Sequence, residues 1–228
     1  MSASYTWSKS LADASGNGDG VDAGEDPFDR RLNFGPTSFD RRHIFVTTYT
    51  YRIPFFRKWN SVARTALSGW ELSGITRFQT GPLLTVRGGT SIGTRRANYL
   101  GGEVNLPSSQ RTIDRWFNEE AFEPAADDGR GNSGRGIVLG PGRRLWDISM
   151  RKRFGISEAV KLQLQADFFN AFNQTNFGSG TNFVNLDMPA LVTTPGADPR
   201  QNIKTSSFGS ISSAAPGRNV QLGLKLTF

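Results

Sequence analysis

Cysteine is absent from this 228-residue chain, and histidine occurs once, at His43. The first absence excludes disulfides, thiolate metal sites and cysteine nucleophiles. The second leaves no multi-histidine metal site. No stretch of about 18 apolar residues exists, which excludes a transmembrane helix. The N-terminal stretch MSASYTWSKSLADASGNGDG lacks the apolar centre of a signal peptide, so either the protein stays where it is made or its true start lies upstream. Hydrophobic residues supply only 36% of the chain, below the globular average of about 45–50%. Glycine (26) and proline (11) are plentiful instead, so much of the chain is expected to be loop. The net charge of +7 comes from 27 basic residues among 20 acidic ones, a balance that favours anionic surfaces and says little more.

What the chain does have is period-two alternation, the pattern of strands with two unlike faces. In HIFVTTYTYRI (43–53), Phe45, Tyr49, Tyr51 and Ile53 oppose Thr48, Thr50 and Arg52. In GWELSGITRFQ (69–79), Trp70, Leu72 and Phe78 oppose Glu71, Ser73, Arg77 and Gln79. LWDISMRKRF (145–154) sets Trp146, Ile148, Met150 and Phe154 against Asp147, Ser149, Arg151 and Arg153. VKLQLQADFFN (160–170) sets Val160, Leu162, Leu164, Ala166 and Phe168 against Lys161, Gln163, Gln165 and Asp167. NVQLGLKLTF (219–228) repeats the pattern, and SYTWS (4–8) reads as part of another strand. The polar faces carry full charges and amides. Strands of about 9–11 residues with one such face and one apolar face fit a transmembrane β-barrel.

The connections agree. Loops 9–42, 80–144 and 171–217 are long, whereas 54–66 and Gly155–Ala159 are short, and the two kinds alternate strictly. Long structureless loops are uncommon in compact domains, but outer-membrane barrels have long external loops and short periplasmic turns. The expected fold is therefore all-β: antiparallel amphipathic strands, about six of them, forming the C-terminal part of a transmembrane barrel. Closure begins at about eight strands, and an open sheet in lipid leaves unpaired edge groups. Residues 1–228 are thus expected to be one partial barrel domain, with earlier strands upstream. Trp70 and Phe154 should lie at the periplasmic rim, and Phe78 and Trp146 at the outer one.

Several segments also resemble a known family. RLNFGPTSFDRRHIFVTTYTYRIPFF (31–56), LSGWELSGITRFQTGPLLTV (67–86), RWFNEEAF (115–122), GPGRRLWDISMRKRF (140–154), LQLQADFFNAFNQTNFG (162–178), FGSI (208–211) and GRNVQLGLKLTF (217–228) look, in that order, like the late barrel of TonB-dependent outer-membrane receptors. The likeness is closest to the subgroup with a carboxypeptidase-regulatory-like N-terminal domain. It implies a barrel of about 22 strands with an internal plug, located in the cell outer membrane and serving energised uptake. The implied partners are outer-membrane lipid, the barrel-assembly machinery, the rest of the barrel and plug, and TonB through the missing N-terminal part. Nucleic acid is not among them. Gln221, Gly223, Leu224, Leu226 and Phe228 resemble the assembly signal at the end of such barrels.

Other motifs carry less. NGDGVDAGED (17–26), with Asp19, Asp22, Glu25 and Asp26, half-resembles a calcium loop but fails its ligand spacing. GRGNSG (129–134) fits a dinucleotide fingerprint formally, without the strand and helix that would make it work. FDRR occurs at 28–31 and 39–42; salt-bridged loop packing is the preferred reading, with anion capture by Arg30, Arg31, Arg41 and Arg42 as the sharper one. No catalytic residue, metal site or cofactor is expected, and the protein is read as non-enzymatic. The rival is a soluble, basic β-rich module binding carbohydrate or nucleic acid through stacked aromatics and cations.

Overall fold

The computed structural model describes residues 1–13, 29–54, 68–90, 93–125, 130–157, 159–178 and 184–228. Its frame is a six-stranded antiparallel sheet in sequential order. The strands are β1 (Ser2–Trp7), β2 (His43–Arg52), β3 (Trp70–Gln79), β4 (Arg143–Gly155), β5 (Lys161–Phe169) and β6 (Asn219–Thr227). β1 begins two residues before the expected segment and ends one earlier; Ser8 still donates its N–H to the Arg42 carbonyl at 3.1 Å.

Residues directly opposite one another in an antiparallel ladder share a face, so the register fixes the facing. Thr50, Ser73, Ser149, Asp167 and Gln221 form one row across β2 to β6. The neighbouring row is Tyr51, Leu72, Met150, Ala166 and Leu222. Polar and apolar rows alternate as the sequence pattern requires. The apolar face is only partly covered: Tyr51, Leu164, Leu222, Leu224 and Leu226 are exposed, Leu224 to 70%. A sheet that leaves this much leucine uncovered is built to meet a medium as apolar as itself. Among the described residues β1 and β6 pair on one side only.

Two details shape the apolar face. Gly74 is needed there because the Tyr49 ring lies across it: a Cβ at 74 would sit 2.6 Å from Tyr49 Oη and 2.7 Å from Cζ. An aromatic ring covering a strand glycine restores packing that the missing side chain forfeits. Lys152 also belongs to this face, opposite Trp70 and Leu164. It is 3% exposed, with Nζ 5.1 Å from the Trp70 ring centre and 4.9 Å from that of Phe154. The aliphatic stem lies among apolar neighbours and the ammonium meets aromatic faces, the arrangement that makes a cation tolerable in such a place.

Loops 8–42, 80–142 and 170–218 leave from one end of the sheet, where Trp7 meets His43, Gln79 meets Arg143 and Phe169 meets Asn219. At the other end β4 and β5 join tightly. Ile156 and Ser157 donate to the Val160 carbonyl at 2.9 and 3.1 Å, and Val160 N–H donates to Ser157 Oγ.

The sequence pattern showed these loops only as long connections, but the hydrophobic core of the described residues lies in them and not on the sheet. Val86, Ala97, Phe117, Ala121, Phe122, Val138, Val184, Leu186, Met188, Ile203, Phe208 and Ile211 form one buried cluster. The sheet presents a single apolar face and has nothing of its own to pack it against. The loops can bury apolar groups against each other.

Candidate functional site: the loop assembly over the strand ends

The loop assembly is organised by aromatic side chains. Phe117 is fully buried and meets Phe122 and Phe208 edge-on, at ring-centre distances of 5.8 and 5.3 Å. Trp116 points the other way, donates its indole N–H to the Leu139 carbonyl at 2.9 Å, and packs against Phe177. The motif RWFNEEAF thus supplies Trp116, Phe117 and Phe122 to a core, and FGSI supplies Phe208 and Ile211. Asn118 caps the short 3₁₀ turn Glu119–Ala121 by accepting the Glu120 N–H. Gly209 has φ +81°, and a Cβ there would collide with the Glu119 carboxylate. Burial raises the pKa of Glu119 above the ordinary carboxylate range, and Glu120 adds to the effect while Arg115 and Arg200 oppose it.

The loops are stitched into one body. Strand Asp187–Met188 from loop 170–218 pairs in parallel with Arg87–Thr90 from loop 80–142, and Arg87 Nε meets Asp187 Oδ1 at 2.6 Å. Ile211 N–H donates to the Ile113 carbonyl at 2.7 Å, and Trp116 N–H to the Gly209 carbonyl at 3.0 Å. Arg135, 8% exposed, donates to the Asn33 and Ala12 carbonyls and so ties loop 80–142 to loop 8–42. Asn176 grips the start of β4: its Oδ1 accepts the Arg144 N–H at 2.7 Å, and its amide donates to the Arg144 carbonyl at 3.0 Å. The result is a packed platform on the strand ends, quite unlike three free loops.

GRGNSG belongs to this packing. Gly131 lies against the backbone of Arg96 and Ala97, where any Cβ would clash, and Ser133 N–H donates to the Ala97 carbonyl at 3.1 Å. Gly129 and the acidic stretch 17–26 fall outside the described residues, as does Phe28.

The four arginines of the FDRR motifs, read as loop packing with anion capture as the alternative, have separate fates. Arg30's side chain lies outside the described residues. Arg31 is held by Asp29 through Nε at 3.0 Å and Nη2 at 2.9 Å, which lowers the Asp29 pKa and raises that of Arg31. Arg41 donates to the Ser38 and Asp40 carbonyls at 2.9 and 2.8 Å. Burial, then the like charge of Arg143, lowers its pKa. Arg42 Nε is buried without a hydrogen-bond partner among the described residues. Asp40, 2% exposed, accepts from Ser10 N–H at 3.3 Å. Arg41 thus feels the charge of Arg143, a residue the sequence motif did not include, while Arg31 is held by its own carboxylate.

Below the platform the polar face is cross-linked. Glu71 Oε2 accepts from Arg52 Nε at 2.8 Å, and its Oε1 lies 3.7 Å from Arg151. Arg153 Nε donates to Gln163 Oε1 at 3.1 Å, and Gln165 to Asp167 Oδ2 at 2.7 Å. Such a face is stable against water and costly against lipid. The assembly-signal residues sit on β6 as the period predicts: Leu224 and Leu226 pair with Leu164 and Leu162 on the apolar face, Gln221 and Gly223 with Asp167 and Gln165 on the polar one. Phe228 follows the last strand residue.

One apolar face, one charged face and a loop platform at a single end define the wall of an outer-membrane β-barrel. The sequence profile of the outer membrane beta barrel domain family matches residues 1–221, so the chain belongs to that family and is an outer-membrane protein. No curated protein and no solved structure matches it.

Proposed function

We propose that this barrel wall belongs to a TonB-dependent receptor and that its platform is the receptor's external face for energised, non-enzymatic uptake. The observation that carries the reading is the buried aromatic core of the loops. A passive pore needs loops that stay out of the way, whereas a receptor needs a surface held in one shape, because pre-organisation spares the ordering cost on binding. The ordered run of resembling motifs points the same way. In this reading the remaining strands and a plug complete the barrel, TonB acts through an N-terminal part, and Gln221, Gly223, Leu224, Leu226 and Phe228 engage the assembly machinery.

The test uses the gene in its own organism. Compounds depleted from the medium are compared between wild type, a strain lacking this receptor, a strain lacking TonB and wild type treated with a protonophore. At least one compound should persist in all three impaired cultures. A compound whose uptake needs this protein but survives loss of TonB would refute energised transport.

A further inference from the structure

A cleft of about 550 Å³ opens where the apolar face of the sheet meets the overhanging platform. Its floor is set by register: Tyr5, Phe45, Phe78 and Arg144 lie side by side across β1 to β4, on the same face as Leu72, Met150 and Leu164. Phe45 and Phe78 stack at 6.1 Å, and Phe78 meets Trp146 edge-on at 4.9 Å. Its roof comes from the loops, where Arg111 lies 5.3 Å over the Trp116 ring and donates Nε to the Leu106 carbonyl. Among the described residues the ionisable groups of the lining, tyrosine apart, are His43, Arg111, Arg143 and Arg144, all basic, with no carboxylate. Arg143 donates to the Gly178 carbonyl, while the Arg144 side chain is exposed.

We infer that this cleft binds the phosphorylated headgroup of an outer-leaflet lipid, with Arg144 and Arg111 on the phosphate and the acyl chains along Phe45, Phe78 and the leucines below. Two observations favour a lipid over a soluble anion. The floor belongs to the face that meets hydrocarbon. It lies at the loop end, which is the external end of an outer-membrane barrel, where aromatic rings mark the interface. The volume suits a headgroup, and the charge is of one sign, as phosphate recognition by arginine requires. The inference rests on the barrel and its orientation alone; it stands even where uptake proves independent of TonB.

The full-length protein, extracted from outer membranes in mild detergent, is studied by native mass spectrometry with bisphosphorylated lipid A, enzymatically dephosphorylated lipid A, and inorganic pyrophosphate as competitor. Lipid A should remain bound, the dephosphorylated lipid should not, and pyrophosphate should not displace lipid A. Arg144→Gln should weaken retention by about tenfold, the loss of one charge-assisted hydrogen bond. Arg111→Ala combined with it should weaken retention further. Arg218→Gln, an exposed cation outside the cleft, should change nothing. Heat-modifiable migration confirms folding of each variant, and Arg144→Gln decides alone if the Arg111 variant fails to fold. Equal retention of the dephosphorylated lipid, wild-type retention by Arg144→Gln, or an equal loss in Arg218→Gln would overturn the site. Displacement by pyrophosphate would reassign it to a free anion.

Discussion

Phe117 joins two sequence-distant loop segments, since Phe122 and Phe208 both pack on its ring. Phe117→Ala removes a fully buried side chain and should cost roughly 3–5 kcal/mol of local stability. Hydrogen exchange should detect this as amide exchange at least about a hundredfold faster at Trp116 and Ile211, with the β3–β4 ladder unaffected. Uniform acceleration of both regions would mean that the platform has no stability of its own. Glu119 gives the same region a pH response. Burial favours its protonated form when folded, so the folded state keeps that proton to higher pH than the unfolded chain does. The stability it confers is complete below the unfolded pKa and is lost as pH rises through the raised one. The platform should therefore be better protected from exchange in mild acid than at neutral pH. Glu119→Gln should flatten that part of the profile, and an unchanged profile would remove Glu119 as its source.

At the scale of the element, β6 shows how alternation and partners divide the work. From Gln221 on, its odd positions face Lys161, Gln163, Gln165 and Asp167, while Asn219, at the loop end, faces Phe169; its even positions face Leu162, Leu164, Ala166 and Phe168. Continuing the row puts Phe228 with the apolar set, while Thr227 stands opposite Lys161. A carboxylate on the lipid face must be desolvated or drawn to the interface, at a cost that depends on depth. On the polar face it stays hydrated, here beside a lysine. Phe228→Asp in the full-length protein should thus lower the protein's abundance in purified outer membranes well below that of Thr227→Asp. Equal abundance would contradict both the facing of β6 and the part of Phe228 in assembly.

For the whole molecule the orientation is the quantity to measure, and residues 1–228 bring no cysteine of their own to a labelling experiment. Asp114 is exposed on the platform, whereas Ser157 lies in the tight turn between β4 and β5. With one cysteine added at a time and the unsubstituted full-length protein as background, Asp114→Cys should react above that background with a membrane-impermeant maleimide on intact cells. Ser157→Cys should react only after the outer membrane is permeabilised. The reverse pattern would invert the barrel and move the aromatic cleft to the periplasmic side.

The sequence by itself determined the strands, their facing and the end from which the loops leave. Each of these depends on period-two spacing or on connection length, and both are local properties of the chain. It could not announce the platform. Phe117, Phe122, Phe208 and Val86 follow no period, because irregular backbone sets no regular interval between inward-facing side chains; the only hint was the aromatic density of RWFNEEAF. Nor could it separate the four arginines of the FDRR motifs. Arg31 and Arg41 come from two copies of one motif, yet one is held by a neighbouring carboxylate while the other donates to the Ser38 and Asp40 carbonyls and feels the like charge of Arg143, about a hundred residues away. The row Tyr5, Phe45, Phe78 and Arg144 is likewise a product of register. Its members come from four strands, and only the ladder hydrogen bonds of the folded sheet bring them to one edge.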